Sequence, residues 1–404
     1  MAIYQRAAKL YTVRRAIINP CAFNRLSQSE AGEQNIKRGL GMRCSPTSYL
    51  CGPVVMLVFG ICPILNGQGA RSRASEDNCA ECFKAKAQNV PEIPYEAVPN
   101  LLKLPPNQNL GEVPGVATNS KGHIFVFTRS RGSQLFEFDK NGVFIREIGQ
   151  GLYGFGLAHV VRIDSQDNIW AVDSGTNVVT KFNPQGRVEM VIGRRPEAHG
   201  IQETAPEGTP VPPAQPYLLN RPTDVARDAA GNIYISDGYG NSRVVKYDKE
   251  GRFVKDVGVK GTKPGEFDNP HAIAADAKGN IYVADRNNGR IQVFDSDLML
   301  KAIYDNIGFP WSVCINNGPH QYLYSTNSNP NNSSPEISAV TGETYKMELD
   351  GTIVGKFGKT GKKPGEVFTV HEIDCHNENE IMMSEISGWR VHKFILHPQN
   401  AGSK

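Results

Sequence analysis

The sequence predicts an all-β fold, a six-bladed β-propeller, and three observations carry that prediction. One motif recurs six times between about residue 113 and residue 396. Every copy alternates short apolar runs with turns rich in Gly, Asn and Asp. A glycine closes each of the first five copies (Gly149, Gly193, Gly258, Gly308 and Gly358), at spacings of 44 to 65 residues. Periods in this range with several short strands per unit mark a propeller.

The copies are Gly115–Asp139, His159–Phe182, Thr223–Asp248, His271–Asp295, a degenerate fifth at Trp311–Leu349 that carries an insertion, and His371–Phe394. The fourth shows the pattern most plainly. A short apolar strand (AIAAD) meets a tight turn (AKGN) and then an alternating strand (IYVAD), as a hairpin requires. A Gly/Asn loop leads to a third strand (RIQVFD), and a fourth strand follows another turn, as FVKDVG does in the third copy. The sixth copy ends at about Leu396, too early for its outer strand. The segment Tyr95–Leu104, which precedes the first copy, is expected to supply that strand and close the ring. The Pro-rich stretch Arg194–Tyr217 reads as a long loop between the second and third units.

Outside the propeller, assigned to residues 95–396, the sequence divides into a leader (1–74), a linker (75–94) and a short tail (397–404). Residues 1–74 hold ten basic residues against two acidic ones, whereas the remaining 330 hold 34 basic and 39 acidic. Nucleic-acid binders carry their basic patch on the folded domain, so an acidic repeat region argues against DNA or RNA as partner. The apolar run Pro53–Leu65 is shorter than the ~20 residues of a membrane-spanning helix. With Arg43 before it and small residues after it, it fits the core of a signal peptide within residues 42–74. A transit peptide is the rival reading, because residues 1–29 carry five bases and no acid. Export, to a periplasm or out of the cell, is the expected destination, with no stable membrane span in the mature form. Cys79 and Cys82 form a CAEC pair that matches neither a zinc ribbon nor a haem attachment site. Such a pair reads as a local disulfide or two idle thiols, and Cys314 and Cys375 read as isolated.

Aligning the copies on their first strands brings one column into view: Gly115, His159, Thr223, His271, Trp311 and His371. Histidine occupies blades two, four and six, which alternate around the ring. First strands line a propeller's channel, so the three rings converge on the axis. Three neutral imidazoles with an open fourth position are the ligand set of a catalytic zinc site. Shared structural use of the three rings is the alternative. The loop after the second strand returns to the histidine end and brings Arg129, Ser174, Gly238–Tyr239, Arg286, Ser325 and Ile386 to one mouth. Arg129 and Arg286 hold equivalent positions and can fork onto one anionic ligand. Tyr239 combines a titratable O–H with reach, and a phenol beside a metal and a guanidinium is acidified toward a usable base. The plainer readings are solvated loop ion pairs for the arginines and packing between blades for the tyrosine.

The repeats resemble NHL-type propellers and, more narrowly, the lyase domain of the peptide-amidating enzymes, peptidyl-α-hydroxyglycine α-amidating lyase. The resemblance runs from about residue 95 to 396 and is strongest over Arg221–Phe294, in RPTDV, SDGYGNSRVV, FDNPHAIA and VADRNNGRIQVF. It implies zinc held by His159, His271 and His371, with Tyr239 and Arg129 lining the site and Arg286 as the arginine of VADR. It also implies a channel calcium on the backbone carbonyls of Val116 and Val161 and on the carboxylate of Glu372, where the family pattern has Asp. Thr369 stands where the animal enzymes have Met, and Gly240 where they have Cys. The implied reaction is N-dealkylation, in which R–CO–NH–CH(OH)–COO⁻ gives R–CO–NH2 and glyoxylate. There zinc acts as a Lewis acid on the hydroxyl or carboxylate oxygen, Tyr239 accepts the hydroxyl proton, and Arg129 with Arg286 holds the carboxylate. The partner implied is a small molecule or peptide with an α-hydroxyglycine-like end. Two other readings stay open: another metal-dependent propeller hydrolase or lactonase, and a non-catalytic NHL-type binding module.

Overall fold

The computed structural model describes residues 80–106, 108–129, 132–152, 154–195, 214–328 and 334–397. The leader, Cys79 and residues 196–213 of the Pro-rich stretch lie outside the described residues. The described residues belong to one compact unit, Gly69–Lys404, and form six four-stranded antiparallel sheets.

A short helix α1 (Ala80–Phe83) and strand β1 (Tyr95–Ala97) come before the first complete blade. Blade one is β2 (Gly115–Thr118), β3 (Ile124–Thr128), β4 (Gln134–Phe138) and β5 (Phe144–Ile148). Blade two is β6 (Ala158–Ile163), β7 (Ile169–Asp173), β8 (Val178–Phe182) and β9 (Val188–Gly193). Blade three is β10 (Asp224–Arg227), β11 (Ile233–Asp237), β12 (Arg243–Tyr247) and β13 (Phe253–Val257), with helix α2 (Gly238–Asn241) after β11. Blade four is β14 (Pro270–Ala275), β15 (Ile281–Asp285), β16 (Arg290–Phe294) and β17 (Leu300–Tyr304). Blade five is β18 (Pro310–Ile315), β19 (Tyr322–Asn327), β20 (Glu343–Glu348) and β21 (Ile353–Phe357), with helix α3 (Pro335–Ser338) after β19. Blade six is β22 (Val370–Asn377), β23 (Glu380–Glu385) and β24 (Arg390–Leu396), completed by β1. Tyr95, Glu96 and Ala97 pair with Leu396, Ile395 and Phe394, so a strand from before the repeats closes the ring.

Local chemistry explains the strands. The second strands of blades one to four are buried at every position, because each blade is covered on both faces by its neighbours. Their β-branched and aromatic residues suit such a surface. Outer strands such as Phe253–Val257 alternate exposed with half-buried residues. Aspartates and asparagines close hairpin turns: Asp276 Oδ1 accepts from the amides of Lys278 and Asn280, at 2.9 and 2.8 Å, and Asn119 Oδ1 from those of Lys121 and His123. Gly279 supplies the positive φ that the first of these turns demands. Among the described residues no helix is long and apolar enough to cross a membrane.

Two residues read as isolated cysteines are joined. Cys314 on β18 and Cys375 on β22 form a disulfide that ties the inner strands of blades five and six across 61 residues. Their separation in sequence hid a pairing that ring geometry makes local. The described part of the linker also packs onto the propeller. Phe83 and Ile93 are buried, the Phe83 and Phe309 rings lie 4.8 Å apart, and Ile93 N–H donates to the Lys356 carbonyl.

Candidate metal centre

His159, His271 and His371 stand on the inner strands of alternate blades, β6, β14 and β22. In each strand the pairing register slips at the histidine, between Ala158 and Val160, Pro270 and Ala272, and Val370 and Glu372. A bulge of this kind re-aims a side chain, and here it sends three rings to one point. Their centroids lie 4.5, 4.9 and 4.9 Å apart. One ring nitrogen from each falls within 4.8 Å of the others.

The backbone sets the tautomers. Nδ1 of His159, His271 and His371 lies 2.5, 2.6 and 2.8 Å from the carbonyls of Thr223, Trp311 and Pro114. A carbonyl only accepts, so each Nδ1 carries the proton and each Nε2 presents a lone pair. The three carbonyls come from blades three, five and one, so every non-histidine member of the column orients a histidine of a neighbouring blade. This corrects the alignment in blade one, where Pro114 and not Gly115 holds the column. Gly115 pairs with Phe127, as Ala272 pairs with Ala284 one residue after His271. The inner strand there starts without the bulge.

Electrostatics keeps the rings neutral. Burial holds all three imidazoles well below their ordinary range; the nearby charges of Arg129 and Arg286 push His159 and His371 further down, and Arg286 does the same for His271. Neutral imidazoles with oriented Nδ1–H groups and convergent Nε2 atoms fit zinc.

Tyr239, in α2, reaches over this cluster. Its hydroxyl lies 3.0 Å from His159 Nε2 and 3.1 Å from His271 Nε2. Glycines flank it because the chain is pressed close here: a Cβ on Gly238 would meet the Pro270 carbonyl at 2.1 Å, and one on Gly240 the Asn220 side chain at 2.1 Å. The Arg286 guanidinium stacks 4.4 Å over Trp311 and 5.9 Å from the Tyr239 ring. Arg129 is ion-paired to Glu112 at 2.6 Å. Arg221, overlooked in the sequence, covers the Tyr239 ring at 5.1 Å. Ser174 and Ile386 follow β7 and β23 as expected. Ser325, however, lies inside β19, and the residue that follows this strand is Ser328, whose hydroxyl donates to the Val370 carbonyl. The β18–β19 turn is two residues longer than the corresponding turn of blade four, which accounts for two of the three positions of this offset.

A buried acid at the end of the second strand pins this mouth in four blades. Asp173, Asp237, Asp285 and Glu385 accept from the amides of Leu157, Asn220, Asp268 and Phe368. Asp237, Asp285 and Glu385 also pair with Arg243, Arg290 and Arg390. The recurring D of AVD, ISD and VAD was the available signal in the sequence.

A family model described as NHL repeat matches residues 219–247 and 267–294. A probable peptidyl-alpha-hydroxyglycine alpha-amidating lyase of Caenorhabditis elegans is 29% identical over 219 residues, 48% of this chain and 58% of that protein. Peptidyl-alpha-hydroxyglycine alpha-amidating lyase 1 of Drosophila melanogaster is 26% identical over 388 residues, 82% of this chain and 66% of that protein. The chain is thus similar to NHL-repeat proteins and, over a longer stretch, to named amidating lyases. The match to the peptidylglycine alpha-amidating monooxygenase of Rattus norvegicus, 30% identical, covers 46% of this chain and 21% of that longer protein.

Hydrogen-bond donors surround the carboxylate of Glu372, to which the resemblance assigns a channel calcium. Glu372 Oε2 accepts the amides of Val116 and Val161, at 2.8 and 3.2 Å, and the Arg162 Nε stands 3.2 Å from Oε1. The groups facing this carboxylate are therefore donors, where a calcium ion needs six to eight oxygens at about 2.3–2.6 Å. Burial pushes the Glu372 carboxyl well up, with Arg162 opposing.

Proposed function

We propose that the protein is a zinc-dependent lyase that cleaves the N–Cα bond of a peptidyl-α-hydroxyglycine-like α-hydroxy-amide, releasing an amide and glyoxylate. The observation that carries this reading is the Tyr239 hydroxyl within 3.0 and 3.1 Å of two Nε2 atoms of a neutral three-histidine cluster. The named lyase relatives support the same reaction class.

His159, His271 and His371 would hold the zinc through Nε2. When bound, zinc supplies Lewis acidity that makes the substrate hydroxyl a stronger acid. Tyr239, as phenolate, accepts the hydroxyl proton. The C–O electrons then form the aldehyde, the C–N bond breaks, and the proton passes to the departing amide nitrogen. Arg286, held against Trp311, and Arg129, held by Glu112, orient the substrate carboxylate.

The disulfide between Cys314 and Cys375 supports export as part of this reading, because such bonds persist in oxidising compartments. The experiment is metal analysis of the purified protein, followed by incubation with an α-hydroxyglycine peptide and glyoxylate readout. His271→Ala is expected to lose both the metal and glyoxylate release. Release that survives complete demetallation overturns the reading.

A further inference from the structure

We propose that Arg162 is the built-in cation of the propeller axis, taking the place of a divalent ion and making the fold independent of calcium. Its guanidinium forks onto Asp224, with Nε 2.9 Å from Oδ1 and Nη2 2.6 Å from Oδ2. The same Nε lies 3.2 Å from Glu372 Oε1. Nη1 donates to the Ile373 carbonyl at 3.0 Å and Nη2 to the Val313 carbonyl at 3.3 Å. Both carboxylates are fully buried. All five of these contacts reach inner strands of other blades.

The rest of the cluster extends the tie around the ring. Ile273 N–H donates to Asp224 Oδ2 at 3.0 Å, and Val116 N–H donates to Glu372 Oε2 at 2.8 Å. Blade two thus supplies the cation, blades three and six the carboxylates, blades four and one the amides, and blade five a carbonyl. Six inner strands meet in one charge-centred network. A divalent ion would have to expel Arg162 and turn away the two amides on Glu372. Two buried carboxylates around one cation give the charge pattern of a metal site with the metal replaced by a side chain. A guanidinium fills it because its planar fork matches carboxylate geometry and its charge is permanent.

The test reads calcium content and melting temperature, neither of which depends on the lyase reading above. Protein equilibrated with zinc and then with millimolar CaCl2 is analysed for bound calcium and melted with and without the added salt. The expected result is no stoichiometric calcium and an unchanged melting temperature. One bound calcium per chain with a raised melting temperature overturns the proposal. Arg162→Met leaves both carboxylates without their cation, and it is expected to melt lower than the wild type and to be raised again by CaCl2. An Arg162→Met protein that melts with the wild type in calcium-free buffer also overturns it. Should that variant not accumulate as folded protein, the wild-type calcium titration decides alone.

Discussion

Tyr239 faces two imidazole nitrogens with one hydroxyl proton. Since both Nδ1 atoms are committed to carbonyls, both Nε2 atoms are acceptors, and the phenol can satisfy only one at a time. That geometry leaves the hydroxyl poised over the position where the three Nε2 atoms converge. Tyr239→Phe keeps the ring, and with it the stacking by Arg221 and Arg286, while removing the oxygen. It is expected to lower kcat for glyoxylate release by about 10²- to 10⁴-fold, the usual contribution of a positioned acid–base group. Zinc content should stay at the wild-type level. A variant with wild-type turnover would remove the tyrosine from the chemistry and leave it a packing residue. At this scale the histidines were legible because they fell in one column of a strong repeat. Arg162 was not legible, since its partners Asp224 and Ile373 are 62 and 211 residues away and only ring closure brings them together.

Strands and turns were legible for a different reason: hydrophobic alternation and Asp/Gly turns are local signals, and β11 and β15 fall where ISD and VAD end. Register was the weak point. The inner strands of the histidine blades slip by one residue at the histidine itself, and blade one lacks that slip, so a column read without backbone geometry misplaces Gly115. The same blindness to register hid the bond between β18 and β22. Closing a 61-residue loop contributes up to about 4 kcal/mol in the chain-entropy account. The cysteines lie three and four residues past Trp311 and His371, toward the end of the channel away from Tyr239. Replacing both by alanine is therefore expected to lower the melting temperature clearly while metal content at room temperature is retained. Calorimetry of the double variant, or of the wild type with reductant, checks this. Equal melting curves would show that the bond adds nothing to the ring.

A ring of sheets is only as stable as its last junction, and here that junction rests on three residues of β1. The pairs of Tyr95, Glu96 and Ala97 with β24 are reinforced by bonds on either side, from Val98 N–H to the Lys393 carbonyl and from His397 N–H to the Pro94 carbonyl. Tyr95 adds a hydroxyl bond to the Gly365 carbonyl at 3.0 Å and an edge contact with Phe394 at 5.2 Å. Without β1 the outer face of β24 becomes an unpaired edge, an invitation to pair with other chains. Upstream of it, the segment holding Phe83 and Ile93 packs on Phe309 and bonds to the Lys356 carbonyl, so contacts with the propeller begin well before the first repeat. Two truncations separate these contributions. A chain beginning at residue 75 keeps both the packed segment and β1, and it should melt like the full-length protein and run as the same species on size exclusion. A chain beginning at Val98 loses both, and it should melt lower and associate through the open edge, with zinc binding weakened because blades six and one no longer hold His371 against the Pro114 carbonyl. A chain beginning at Val98 that stays monodisperse and melts with the full-length protein would show that the ring closes without β1.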